Sequence, residues 1–259
     1  MIEMSSLSLL RGSLKFINEN FIKILIFIIL AYFPIYILEY LLGLIPNYKI
    51  KLLFGVYTNR TIFILFKVFL QILITKYFIK KNDDEENKLN NGIFSNYIVY
   101  LPIAIISFII FFIPNLIGIY GFGSGISTVV RFILSSISLV ILIISYFVIQ
   151  EIVYYDYNLK KAIRKSLEDF KFRWETVLIY MIITGLISFL LSLPINYLDG
   201  ALKLSIMTSV SVGKIVKDVL MFLVFSIIQG FLISTIECGK CIYIKEIRNY
   251  KRKNHITNG

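Results

Sequence analysis

Three stretches of this chain carry no charge over a length greater than a bilayer span: residues 89–130, 132–150 and 176–198. About 18 uncharged apolar residues suffice to cross a hydrocarbon core of ~30 Å. No water is available there to satisfy the backbone, so runs of this kind fold as helices that bond their own peptide groups. The chain is 58% hydrophobic, against roughly 45–50% in soluble domains. The competing reading, buried helices of a large soluble protein, would need a soluble domain to cover them, and the sequence shows none. The expectation is therefore an all-α, polytopic integral membrane protein in the cell membrane.

The spans fall at about residues 21–42, 61–79, 97–120, 130–152, 175–198 and 217–244, within a single domain covering 1–259. Pro34 should kink the first span, and Lys23 at its start can snorkel to the interface. No A-x-A-like cleavage site follows this span, so it is expected to be retained. Pro46 to Arg60, residues 80–92, GFGSG at 121–125 and residues 199–216 read as connections. Six spans put both termini on one side. That side carries Arg11, Lys15, Lys80, Lys81, Lys88, the six cations of 160–173, Lys240 and the basic tail 245–259. The other side carries Lys49, Lys51, Arg60, Arg131, Lys203, Lys214 and Lys217. The positive-inside rule then predicts cytoplasmic termini. The net charge of +11 is concentrated at the ends of apolar blocks, which fits membrane anchoring and argues against nucleic acid.

The region 154–173 is polar between two apolar runs, and its helical stripe is Leu159, Ile163, Leu167, Phe170 and Trp174. Lys160, Lys161, Arg164, Lys165, Lys171 and Arg173 lie mostly off that stripe. A basic amphipathic helix joined to spans is expected to lie in the interface, with its cations on anionic headgroups and Trp174 at the boundary. Residues 1–20 repeat the design with Leu7, Leu10, Leu14, Ile17 and Phe21. Arg11-x-Ser13-Leu14 overlays Arg164-x-Ser166-Leu167 at an offset of 153 residues. Ile93 and Tyr97 suggest a degenerate middle copy. The pattern reads either as three repeats of a lead-in helix plus a two-span hairpin, or as chance overlay of helical periodicity.

These residues resemble a known family. A basic lead-in runs into a proline-containing span (SSLSLLRGSLKF…AYFP), and Ala162, Lys165, Ser166, Leu167, Phe170 and Trp174 form an A-x-x-K-S-L-x-x-F-x-x-x-W pattern before the fifth span. This looks like the six-span membrane domain found ahead of some glycerophosphoryl diester phosphodiesterases, and like the related stand-alone bacterial inner-membrane proteins of the YciC type. The resemblance covers most of the chain through a loose, structural motif. It implies a helical membrane protein without an established activity, and no phosphodiesterase function carries over.

Intramembrane ionisable residues are functional candidates. Lys67 and Gln71 share a face of the second span, and Glu39 lies at a comparable depth on the first. They read either as a Lys67–Glu39 pair inside the bundle or as an outward-snorkelling lysine. Gln150, Glu151 and Glu237 lie near cytoplasmic span ends. They read as cation ligands, as partners of Lys76 or as interface markers. Cys238-Gly-Lys-Cys241 supplies half of a tetrahedral zinc site. It also completes a small-residue stripe, Ser226, Gly230, Ser234 and Cys238, of the kind that lets helices approach closely. Packing is the stronger reading, and no metal site is assigned. With one His, at 255, no Ser–His–acid set, H-E-x-x-H or P-loop can be drawn, so neither a catalytic residue nor a cofactor is expected. The functional expectation is a non-enzymatic inner-membrane protein that engages anionic lipid or scaffolds a membrane partner. The alternative is a permease subunit whose ATPase is a separate chain.

Overall fold

The chain makes its first sharp turn at Asn20. Helix α1, Ser6–Glu19, is capped by the Ser5 side chain, which accepts from the Ser8 N–H. Helix α2, Phe21–Gly43, leaves at 89° to it and continues as helix through Pro34. Asn20 stabilises the turn: its Nδ2 donates to the Phe16 carbonyl at 2.7 Å, while its Oδ1 accepts from Tyr77 Oη and Lys81 Nζ. The computed structural model describes residues 5–43, 66–82, 92–119, 124–205 and 212–257.

Residues 66–82 form α3. Helices α4 (Ile93–Ile119) and α5 (Ser124–Ser145) follow, then α6 (Val148–Tyr155) after a break at Tyr146–Phe147. Asp156 takes a left-handed conformation (φ 54°), which an Asp tolerates better than most side chains. Helix α7, Leu159–Phe172, is capped by Asn158, whose side chain accepts from the Lys161 N–H at 3.0 Å. Arg173 alone separates it from α8, Trp174–Ser205, and α9 runs from Val212 to Thr257. The described residues contain no strand.

Helix α9 is the axis of the bundle, with α1, α2, α6 and α8 packed along it. One core joins Phe16 and Ile17 of α1, Ile24 and Ile28 of α2, and Ile74 and Phe78 of α3 to Cys238 and Cys241 of α9. A second joins Leu9, Phe147, Phe170 and Tyr180 to Tyr243 and Ile247. The Phe147 and Tyr243 rings stack at 5.0 Å.

Three described segments are long and apolar enough to cross a membrane: Phe132–Tyr155, Trp174–Leu191 and Ser226–Lys251. The bent pair α1–α2 makes a fourth if counted as one span. Large apolar side chains stay exposed along them, among them Ile22, Leu30, Phe132, Ile182 and Phe189. Water disfavours such contiguous apolar surface and acyl chains do not. The proposed start of the second span, 61–65, and the loop at 83–91 lie outside the described residues.

Several expectations are corrected. Of the expected loop at 199–216, residues 199–205 and 212–216 are helical, continuing α8 and opening α9, and 206–211 lie outside the described residues. The basic tail is also helical, as α9 extends to Thr257. The fourth span is broken at 146–147, and Tyr154 and Tyr155 belong to α6 and not to the basic helix. The buried face of α1 is Leu9, Ser13, Phe16 and Ile17, whereas Leu7 and Leu14 of the expected stripe are 67% and 52% exposed. Periodicity finds an amphipathic face, but small residues decide which side α9 meets: Gly12 sits 2.9 Å, measured from an ideal Cβ, from Ile242 Cδ1. Nor does α7 turn its inner face to lipid, since Ala162, Ser166, Asp169 and Phe170 are buried against the neighbouring helices.

Candidate functional site: a polar cluster inside the bundle

Glu237 is fully buried on α9, where an isolated carboxylate is costly. Three donors surround it. Lys240, one turn along α9, reaches Oε1 at 2.9 Å. Gln71 of α3 donates to the same oxygen at 2.7 Å, and Gln150 of α6 donates to Oε2 at 2.5 Å. The Lys240 ammonium also lies 4.5 Å from the centre of the Tyr146 ring. One carboxylate thus joins α3, α6 and α9.

The stripe continues along α9. Arg248 bonds Glu151, itself buried, at 2.8 Å, and its guanidinium lies 3.3 Å from the Tyr155 ring centroid. Lys251 bonds the buried Asp169 of α7 at 2.9 Å, and Tyr243 Oη donates to the Asp169 carbonyl. Charged and polar groups on one face of α9 therefore hold α6 and α7 in place.

Beside Glu237 lies a cavity of about 550 Å³. Its polar lining includes Lys67, Gln71, Tyr100, Tyr146, Thr184, Glu237 and Lys240. Its apolar walls come from Leu139 and Leu142 of α5, Ile149 of α6, Met181 of α8, and Ile233 and Ile236 of α9. Lys67 keeps accessible surface although protein crowds around it, because it borders this space. An ideal Cβ on Gly185, also in the lining, meets nothing within 4 Å.

The cluster brings together Lys67, Gln71, Gln150 and Glu237 of the expected residues, while Glu151 pairs with Arg248 further along α9. The side chain of Glu39 lies outside the described residues. Gln150, Glu151 and Glu237 are buried inside the bundle. Lys160, Lys161, Arg164, Lys171 and Trp174 are exposed, and Lys165 and Arg173 are half-buried. Glu168 bonds Lys165 at 2.6 Å and Arg164 at 3.2 Å. The Lys165 hydrogen bond holds the Glu168 carboxyl below its ordinary range.

Sequence reasoning missed Lys240, Arg248, Lys251 and Asp169. Glu237 and Lys240 are spaced i,i+3, and Lys240, Ile244, Arg248 and Lys251 then recur at four, four and three, a signal that counting all of them as tail charges obscured. Cys238 and Cys241 are free, fully buried and part of the core beside α2. The small-residue stripe faces α2: an ideal Cβ on Gly230 would lie 2.5 Å from Ile28 Cγ2. No group of three or more metal-ligating side chains occurs among the described residues.

No protein-family model, curated protein or solved structure matches this chain.

Proposed function

We propose that the chain is a six-span protein of the bacterial inner membrane with both termini in the cytoplasm, and that it engages anionic lipid without a catalytic step of its own. The likeness to the six-span domain found ahead of glycerophosphoryl diester phosphodiesterases belongs to the same proposal. The observation that carries it is α7. Its inner face is fixed to α5, α6 and α9, and its outer face presents Lys160, Lys161, Arg164 and Lys171 beside the exposed Trp174. A rigidly held basic face next to apolar helices suits a headgroup layer, at about 1 kcal/mol per cation.

The three-unit repeat is part of this reading. Both α1 and α7 have 14 residues, both are capped by a side chain, and both stand one residue before a long apolar helix at the 153-residue offset.

The second reading, a permease subunit with a separate ATPase, is favoured by the same exposed face, which could dock a protein. Purification from native membranes in polymer nanodiscs, followed by mass spectrometry, separates the two. The lipid reading expects enriched anionic lipid that survives any single Lys/Arg exchange on α7, because attraction to diffuse charge has no anchor residue. A stoichiometric ATPase, lost on Arg164→Ala as a protein interface with anchors would be, overturns it.

A further inference from the structure

The cavity beside Glu237 has a charge imbalance. Among the described residues its lining holds two lysines and one glutamate. Glu237 is already committed to Lys240, Gln71 and Gln150, so the lining retains one net positive charge. That charge falls to Lys67, for which the described residues supply no ion pair within 4 Å. Tyr146 lines the same space, its ring beside the Lys240 ammonium. An uncompensated cation among apolar helices is costly unless an anion joins it.

The rest of the space is apolar and opens sideways. Leu139 and Leu142 line it and are also 57% and 49% exposed. Across the opening, Gly185 borders open space on α8. A molecule that pairs with Lys67 and lies along Leu139, Leu142 and Met181 must have an anionic end and an apolar tail. The volume, about 550 Å³, lies within the roughly 300–1,000 Å³ of small-molecule sites. That size suits one acyl chain better than two.

We propose that this cavity binds a single-chain anionic lipid, with its head at Lys67 and its chain passing between α5 and α8 toward the bilayer. The site deepens the lipid-engaging reading and rests on it for the source of the ligand. Its chemistry differs from that of the α7 face: one cation at the edge of a chain-length cavity, against a row of cations on an outer helix face.

The test uses the full chain in nanodiscs, with a diazirine-bearing palmitate as probe and mass spectrometry to place the label. Labelling is expected on the peptides that carry residues 139–142 and 181–188, with oleate competing. Oleyl alcohol, which lacks the charge, should compete about tenfold less well, as expected for loss of a charge-assisted contact. Lys67→Gln should weaken oleate by a similar factor and leave oleyl alcohol unchanged. Gly185→Leu should abolish labelling while the melting temperature holds, since the new side chain enters open space. This second variant keeps the test decisive if Lys67→Gln fails to fold.

Equal competition by oleate and oleyl alcohol would overturn the proposal, as would labelling that survives Gly185→Leu. Competition by acetate alone would make the site an anion site and not a lipid site. Competition by phosphatidylglycerol at bilayer concentration would assign a two-chain occupant. Enrichment of anionic lipid by the α7 face is read separately and should not change in either variant. Its loss with the label intact would sink the broader reading and leave the cavity in place.

Discussion

Gly239 shows how close the helices come. A Cβ there would run into the hydroxyl and ring of Tyr180. That ring cannot easily swing aside, because Tyr180 is buried and its hydroxyl donates to the Thr235 carbonyl at 2.8 Å. Gly239→Ala is expected to cost about 1–3 kcal/mol by overpacking, measured by thermal unfolding in detergent. Gly185→Ala should be neutral or slightly stabilising by the same measurement, because nothing stands within 4 Å and Ala favours helix. Gly185 lies in an apolar run and Gly239 between Cys238 and Lys240, but neither setting shows how near a partner helix comes. Only the partner helix tells them apart, so this difference was not legible.

Among the elements, the break between α5 and α6 depends on α7. At the break the Phe147 N–H is bonded by Ser166 Oγ at 3.1 Å, and the same hydroxyl donates to the Ile144 carbonyl at 2.9 Å. Ser166 is fully buried, so no solvent can replace it. Ser166→Ala should cost about 1–3 kcal/mol and speed hydrogen exchange at the Phe147 amide. An unchanged exchange rate would show that the break does not need this hydroxyl. The sequence placed Ser166 in a motif shared with Ser13, and both are fully buried. Their work differs: Ser13 Oγ donates within its own helix, to the Leu9 carbonyl at 2.6 Å. The spacing of apolar residues made the two amphipathic helices readable within 1–20 and 154–173, but not their 14-residue lengths. The break itself was not readable, because Ser145, Tyr146 and Phe147 contain neither proline nor glycine.

For the whole molecule, Glu237 is the point where α3, α6 and α9 converge. Glu237→Ala leaves Lys240, itself only 7% exposed, without its counter-charge. The expected loss is about 3–5 kcal/mol, and α3 and α6 should loosen together in hydrogen exchange. Replacing both partners, Glu237→Leu with Lys240→Met, should recover most of that loss, because the unpaired charge goes with the pair. If the double variant is as unstable as the single, the cost lies in Gln71 and Gln150 and not in the ion pair. The membrane-like class of the chain was legible from its charge-free runs alone. Lys67, Gln71 and Glu237 were legible as candidates because ionisable groups stand out in apolar sequence. Their convergence was not, since it joins helices more than 160 positions apart in the chain.

The packing of α1 on α9 has a consequence in time. The face of α1 that carries Leu9 and Gly12 is covered chiefly by α9 and α8, including Ile242 and Tyr243. A ribosome adding about 5–20 residues per second needs on the order of ten seconds or more to reach them. Through that interval α1 lacks the cover of α8 and α9 over this face. Its exposed Leu7 and Leu14, flanked by Arg11 and Lys15, give it an amphipathic outer face suited to an apolar–water boundary until α9 arrives to cover the inner one.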